Sequence, residues 1–142
     1  MLFPNKSLCN INQKKVVSRE EGNQHIIENC SQYDIYHYHI DGGIIPHEDT
    51  SGERCDYMVE AMAQPQPIVF IIELKGSNLL KAMQQIEATV KRYGEKLSKY
   101  AIFPRFVCHR ILSHDVLDAR FMKFREKYPN TRYAARILTD TI

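Results

Sequence analysis

The sequence lacks a long apolar segment. Its longest apolar run covers residues 68–72 and ends at Glu73, whereas a helix needs about 20 predominantly apolar residues to span a bilayer. The N-terminus also lacks the basic stretch, apolar segment and small-residue cleavage site that a secretory signal would contain. We therefore expect no membrane partner and a cytoplasmic setting.

Paired cysteines and low-complexity segments are missing as well. The four cysteines form no C-x-x-C pair, and a chain of 142 residues does not need disulfides to fold. We expect reduced thiols and no zinc knuckle. Hydrophobic residues make up 44% of the chain, with only six glycines and six prolines, as in ordinary globular proteins. The length predicts a single domain over residues 1–142.

The charges are divided unevenly along the chain. Residues 1–74 hold 5 Lys and Arg against 11 Asp and Glu, and residues 75–142 hold 14 against 6. A protein with metal-binding carboxylates beside a polyanion-binding surface would need such a separation.

Hydrophobic patterning predicts the central elements. Alternating aromatic and polar residues at 33–40, together with residues 54–62, predict a hairpin with a long loop. Residues 68–74 are apolar on both faces, which indicates a central strand. Apolar residues then recur at steps of three and four over residues 77–97, which predicts an amphipathic helix with Ser77 as its N-cap.

The flanking segments complete the predicted fold. Residues 100–112 indicate a strand, residues 115–128 a second amphipathic helix, and residues 132–138 a last strand. Residues 18–32 begin with Ser-Arg-Glu-Glu and predict a short N-terminal helix. The expected fold class is α/β (α+β), with a single mixed β-sheet flanked by helices.

Three charged residues at predicted strand ends carry chemistry. Glu73 and Lys75 share one face because side chains alternate along a strand, and pairing with residues 54–62 would bring Asp56 close to Glu73. Two carboxylates with backbone and water oxygens make a site of the kind Mg²⁺ or Mn²⁺ prefers. The Lys75 ammonium could orient the attacking water and offset charge on a pentavalent phosphate.

A strand Asp followed by Glu-x-Lys at the end of the next strand resembles the PD-(D/E)XK nuclease superfamily, which includes restriction endonucleases and Holliday-junction resolvases. The resemblance covers residues 34–111, and Cys55 stands where the motif name has Pro. It implies a restriction-endonuclease-like core and Mg²⁺- or Mn²⁺-dependent hydrolysis of DNA phosphodiester bonds. By the same resemblance, Asp56 and Glu73 are the metal ligands and Lys75 is the catalytic lysine.

The resemblance implies two further contributions. Many members add a glutamate from an N-terminal helix, for which the candidates are Glu20, Glu21 and Glu28. Several carry a helix glutamine after Glu-x-Lys that approaches the substrate or metal waters, which here is similar to Gln85 or Gln84.

Basic residues indicate where DNA would bind. Arg92 and Lys96 lie on the polar stripe of the first helix, and Arg120 and Lys123 lie among the C-terminal cations. Cations interleaved with Phe and Tyr are typical of a phosphate-tracking surface. The full C-terminal set is Arg105, Arg110, Arg120, Lys123, Arg125, Lys127, Arg132 and Arg136.

Other hypotheses stay open at this point. His37 and His39 have the His-x-His spacing of metal ligands, with His47 nearby, so a zinc site is an alternative. Asp41, beside two glycines, predicts a turn and could support the site. The chain could also be a catalytically inactive module of the same fold that binds nucleic acid or a protein. Its small size favours a homodimer or a partner protein for selectivity.

Overall fold

A computed structural model describes residues 1–74 and 76–142. These residues form an α+β protein with eight strands, in two mixed sheets, and four helices. The strands are β1 (Lys15–Glu20), β2 (Asn23–Glu28), β3 (Ile35–His39), β4 (Tyr57–Ala61), β5 (Ile68–Glu73), β6 (Ala101–Cys108), β7 (Arg132–Ala135) and β8 (Ile137–Thr141). The helices are α1 (Leu79–Arg92), α2 (Gly94–Leu97), α3 (Ser113–Val116) and α4 (Ala119–Lys127). None of these helices is long and apolar enough to cross a membrane.

The larger sheet has the strand order β3-β4-β5-β6-β7. Strands β3, β4 and β5 pair antiparallel, whereas β5, β6 and β7 pair parallel. Each parallel connection needs a crossover, which α1 and α2 provide between β5 and β6, and α3 and α4 between β6 and β7. The predicted position of β5 in the centre of a sheet is therefore confirmed.

Strand β5 is apolar on both faces because it separates two cores. Val69 and Ile71 pack against the helices, in a core that also contains Met83 and Ile86 of α1. Phe70 and other residues of the opposite face pack in a second core, between the two sheets.

The predicted hairpin is also confirmed. His39 of β3 pairs with Tyr57 of β4, and the long loop between the strands is held by Arg54. The guanidinium of Arg54 donates from Nε to Asp41 Oδ1 at 3.0 Å and from Nη1 to the backbone oxygen of Asp49.

The predicted N-terminal helix over residues 18–32 is wrong, and so is the prediction of one sheet. This region forms β1 and β2, which join β8 in a second, three-stranded sheet in the order β1-β2-β8. The cause is the turn at Glu21 and Gly22, whose φ angles of 49° and 82° are both positive. Such a two-residue turn suits an antiparallel hairpin and ends any helix there.

The prediction of one continuous last strand over residues 132–138 is wrong, because two strands, β7 and β8, occupy this region. Arg136 has a φ of 68°, which breaks the extended chain between β7 and β8. Strand β7 stays in the larger sheet, and β8 pairs parallel with β2 in the smaller one.

The helices differ from their predicted bounds at three places. The predicted helix over residues 77–97 is divided, because α1 ends at Arg92 and Gly94–Leu97 forms the separate helix α2. Asn78, rather than Ser77, caps α1 and accepts a hydrogen bond from the Lys81 amide at 3.1 Å. The predicted helix over residues 115–128 is divided into α3 and α4, because Asp118 is the N-cap of α4 and accepts from the Arg120 amide at 2.8 Å.

A buried ionic cluster joins the sheets. Asp140 of β8 accepts hydrogen bonds from Arg105 Nε at 2.7 Å and Arg105 Nη2 at 3.0 Å, and His25 Nε2 lies 2.7 Å from Asp140 Oδ2. Arg132 Nη1 adds a further contact at 2.8 Å. Burial opposes ionisation, but the bonds from His25 and Arg105 hold the pKa of Asp140 well below its usual range.

A neighbouring histidine is buried in its neutral form. His37 is 7% exposed, and its Nε2 lies 2.9 Å from Ser18 Oγ across the sheets. Burial, together with the charges of His25 and His39, lowers the pKa of His37 from 6.5 to about 4. The unfolded chain therefore binds this proton at a higher pH than the folded chain does.

We predict that the folded state loses stability as the pH falls from 6.5 towards 4, by about 3 kcal/mol from His37. His37→Gln keeps a polar partner for Ser18 but cannot titrate, so urea unfolding of this variant should depend less on pH across that range. The matched control is His47→Gln, because the His47 side chain is 74% exposed. Equal pH dependence in His37→Gln and the unmodified chain would contradict the prediction.

Candidate active site

Asp56 and Glu73 lie at adjacent ends of the two central antiparallel strands. Tyr57 pairs with Ile72 at the end of the β4–β5 ladder, so Asp56 directly precedes β4 where Glu73 ends β5. The backbone amide of Asp56 donates to the Ile72 oxygen at 3.1 Å. Both carboxylate residues are 1% exposed.

The Asp56 carboxylate contacts the backbone directly after Glu73. Its Oδ2 accepts a hydrogen bond from the Leu74 amide at 2.8 Å, which places this oxygen within about 5 Å of Glu73 Cα by peptide geometry. The sequence-predicted approach of Asp56 to the Glu73 end of β5 is thus present. Lys75 lies outside the described residues, so its place in the site stays a prediction.

The second sheet reaches the same strand end through a residue that the sequence analysis missed. Asn23, at the start of β2, donates from Nδ2 to the Leu74 backbone oxygen at 2.5 Å. The signal for it was the Glu21-Gly22 turn, which separates two extended segments.

Helix α1 presents a polar face to this region. Thr89 Oγ1 accepts a hydrogen bond from the Cys55 amide and donates one to the Gln85 backbone oxygen, both at 2.8 Å. Gln85, one turn before Thr89, lines a cavity of about 210 Å³ with Gly76, Asn78 and other residues at the start of α1. Gln84 instead lines a separate cavity, between α1 and α4.

The buried thiol beside Asp56 responds to the local charges. Burial raises the pKa of Cys55 well above its usual value, and the negative charges of Glu73 and Asp56 raise it further. This thiol therefore stays protonated and is a poor nucleophile or metal ligand.

The donor set fits a hard cation. Asp56 and Glu73 supply carboxylate oxygens, which are the ligands that Mg²⁺ takes, and Mg²⁺ commonly binds through one or two carboxylates while it keeps several waters. Within residues 1–74 and 76–142, no group of three or more His, Cys, Asp or Glu side chains is arranged to hold a metal. A metal at this site would therefore depend on two protein carboxylates and on water.

The three candidate additional acids lie on the β1–β2 hairpin, not on a helix. Glu20 and Glu21 are at its tip, where they line a cavity of about 350 Å³ together with Asn23. Glu28 lies at the other end of β2, where it is opposite Lys15. Glu28 is therefore about 16 Å along the strand from Asn23. The hairpin therefore places Glu20 and Glu21, and not Glu28, at the Leu74 end of the molecule.

The histidine alternative has no support in this geometry. His37 Nε2 forms a hydrogen bond with Ser18 Oγ at 2.9 Å. His39 stacks on Tyr57 with ring centroids 4.9 Å apart, and His47 Nδ1 lies 3.9 Å from Asp41 Oδ1. Within the described part of the chain, these histidines also belong to no group of three or more His, Cys, Asp or Glu side chains that could hold a metal.

Three of the predicted DNA-contacting cations, Arg92, Lys96 and Arg120, make internal contacts. Arg92 donates to Ser51 Oγ at 3.1 Å in the long loop, and Lys96 lies over the ring of Phe3 at 5.7 Å. Arg120 forms a two-pronged pair with the Asp118 carboxylate, at 3.0 and 2.9 Å. All four are exposed, and neither Lys96 nor Lys123 forms an ion pair with any residue of the described segments.

The prediction that Arg105 belongs to the basic surface is wrong. Arg105 is 2% exposed because its guanidinium pairs with Asp140 between the sheets and lies 5.2 Å from the centroid of the Phe70 ring. A cation buried in this way is not available to a phosphate on the surface.

Comparisons with known proteins provide no further assignment. No protein-family model matches the chain, and neither a curated protein nor a solved structure matches it.

We predict that Asp56→Ala lowers the free energy of unfolding by about 1–3 kcal/mol, because it leaves the buried Leu74 amide without an acceptor. Asp56→Asn should cost less, since its amide oxygen can still accept that bond. Urea unfolding measures both, with exposed Glu53→Ala expected within about 0.5 kcal/mol of the unmodified chain. An unchanged Asp56→Ala would show that the Leu74 contact contributes nothing to stability.

Proposed function

We propose that the protein is a metal-dependent nuclease of the restriction-endonuclease-like type that hydrolyses DNA phosphodiester bonds. The observation that carries the proposal is the contact of the Asp56 carboxylate with the Leu74 amide, directly after Glu73, at the end of a central strand that precedes a glutamine-bearing helix. The order hairpin, strand, helix, parallel strand over residues 34–111 agrees with the core that the sequence resemblance implies.

In this proposal, the two carboxylates hold Mg²⁺ or Mn²⁺. The bound metal would polarise the phosphoryl oxygen and lower the pKa of the attacking water. Asp56 is held in place by the Leu74 amide at 2.8 Å, which fixes the position of its carboxylate. Such prior orientation is what a catalytic carboxylate needs, because the site is not reorganised during the reaction.

Lys75 and Gln85 complete the proposed catalytic set. Lys75 would orient the attacking water and offset the developing negative charge, as the resemblance implies. Gln85 borders the cavity at the start of α1, from which its amide would contact substrate or metal-bound water.

We propose Glu20 as the additional acid. Side chains alternate along β1, so Glu20 lies on the same face as Ser18, which is buried against His37. Glu20 is also paired in register with Asn23, the residue that contacts the end of β5. Glu21 lies in the turn and Glu28 at the far end of the hairpin, which makes both weaker candidates.

The substrate surface would lie along α4 and the adjacent face of α1. A cavity of about 390 Å³ between these helices is lined by Gln84, Arg120, Lys123 and Lys127, among others. Cations on such a surface bind the phosphate backbone without reading its sequence. Selectivity would then come from a second copy of the chain or from a partner protein.

The catalytic assignment predicts that Lys75→Ala lowers kcat for plasmid cleavage by about 100-fold or more while DNA binding stays nearly unchanged. The physical reason is that the ammonium acts on charge that develops in the transition state. Lys14→Ala is the matched control, because this exposed lysine directly precedes β1, at the end of the hairpin far from Leu74. Full cleavage by Lys75→Ala would refute the role of the lysine.

The surface assignment predicts different salt effects at two neighbouring cations. Lys123→Ala should reduce the slope of log affinity against log salt by about 0.9 on duplex DNA, between about 50 and 200 mM salt. Arg120→Ala should change it less, because Asp118 already neutralises this guanidinium at 2.9 Å. Fluorescence anisotropy measures both slopes, and no DNA affinity at the lower salt concentration would contradict a nucleic-acid surface.

The second candidate function is an inactive module of the same fold that binds nucleic acid or a protein. The observation that favours it is the use of the Asp56 carboxylate as a backbone acceptor, which is a structural role that needs no metal. Calorimetric titration with Mn²⁺ separates the two functions. The nuclease requires binding that Asp56→Asn and Glu73→Gln weaken, whereas the inactive module requires none.

A further inference from the structure

Leu74 is held on both sides of its backbone by side chains from other elements. Its amide donates to Asp56 Oδ2 at 2.8 Å, and its carbonyl accepts from Asn23 Nδ2 at 2.5 Å. Strand β5 ends at Glu73. At Leu74, side-chain hydrogen bonds therefore take the place of the backbone hydrogen bonds between strands. Leu74 is the residue that separates Glu73 from Lys75 in the sequence.

Asn23 is itself placed rigidly. It begins β2 directly after the Glu21-Gly22 turn and pairs with Glu20 across the hairpin. Its neighbour Gln24 donates a backbone hydrogen bond to the Arg136 oxygen at 2.9 Å. The Leu74 side chain is fully buried in the core between the sheets, so both partners of the Asn23–Leu74 bond are fixed by packing.

The Asn23 side chain bonds to the Leu74 oxygen through its nitrogen, at the cost of a buried amide oxygen. Asn23 is 0% exposed, and its Oδ1 has no hydrogen-bond partner within the described part of the chain. A buried amide oxygen without a partner destabilises the folded state; an apolar side chain of similar size would avoid that cost but would remove the donor to the Leu74 oxygen. The retained benefit of asparagine here is its Nδ2 donor to Leu74.

We propose that Asn23 is a positioning residue, which fixes the chain between Glu73 and Lys75 and thereby sets the orientation of the Glu73 carboxylate. Asn23 does not touch the reacting atoms and acts through the Leu74 backbone. The second sheet thus reaches the end of β5 through the contact between Asn23 and Leu74. The inference rests on the proposed nuclease function for its catalytic consequence, whereas the contact with Leu74 is independent of that function.

The first test measures amide hydrogen exchange by NMR on the full chain without metal. Asn23→Ala and the similarly sized Asn23→Leu should both speed exchange of the Leu74 amide by roughly tenfold, because local opening becomes easier. Asn29→Ala is the matched control, since Asn29 is also buried and bonded to backbone oxygens, of Gln13 and Tyr33, but follows the far end of β2. Unchanged Leu74 exchange in both Asn23 variants, or an equal rise in Asn29→Ala, would overturn the proposal.

The second test measures Mn²⁺ affinity and cleavage in the same variants. Loss of an outer residue that orients metal ligands should weaken Mn²⁺ binding or activity by about 10–100-fold, with kcat lowered and KM for DNA nearly unchanged. Asn29→Ala should keep both values, which a general loss of stability would not allow. If the unmodified chain cleaves DNA and Asn23→Leu has the same Mn²⁺ affinity and cleavage rate, the positioning role is refuted. If the unmodified chain neither binds Mn²⁺ nor cleaves DNA, the proposed function is refuted instead.

Discussion

Burial of β5 on both faces is the constraint that the rest of the structure depends on. The helices cover one face and the smaller sheet covers the other, so no position between Val69 and Ile72 can hold a charge without a buried partner. The first place where the strand can carry an acid is its end, at Glu73. The candidate site therefore lies where the regular pairing of the strand ends, at a position that is itself buried.

Two other buried carboxylates of this protein, Glu60 and Asp140, have several partners each. Glu60, which is 0% exposed, accepts hydrogen bonds from the phenol groups of Tyr38 and Tyr100, at 2.5 Å each, and from the Leu2 amide at 2.6 Å. Asp140 is similarly surrounded. A buried carboxylate with one partner removed would be strongly destabilising, so these clusters fix how the N-terminal segment and β8 dock on the larger sheet.

The sequence could predict the elements whose signal is local. The apolar run of β5, the alternation around it and the regular spacing along α1 each lie within one segment, and all three elements are present. The second sheet could not be found in this way, because β2 pairs with β8 more than a hundred residues later and a parallel pair has no turn to indicate it. The Ser-Arg-Glu-Glu segment resembled a helix start, but the positive φ angles at Glu21 and Gly22 favour the hairpin. The approach of Asp56 to the Glu73 end of β5 followed from the predicted pairing of residues 54–62 beside the central strand, whereas Asn23 depends on the unpredicted hairpin of β1 and β2.

The charge division of the sequence also has to be interpreted through the fold. Its excess of cations after residue 75 indicated a phosphate-binding surface, yet Arg105 and Arg132 pair with Asp140, and Arg120 pairs with Asp118. An ion pair reduces the field that a cation presents to a distant phosphate, so formal charge overstates the attraction. Exposed lysines such as Lys123 and Lys127, which line the cavity between α1 and α4, are left as the main source of attraction on that face. A DNA-binding role therefore depends on a few lysines on α4 more than on the net charge of the C-terminal half.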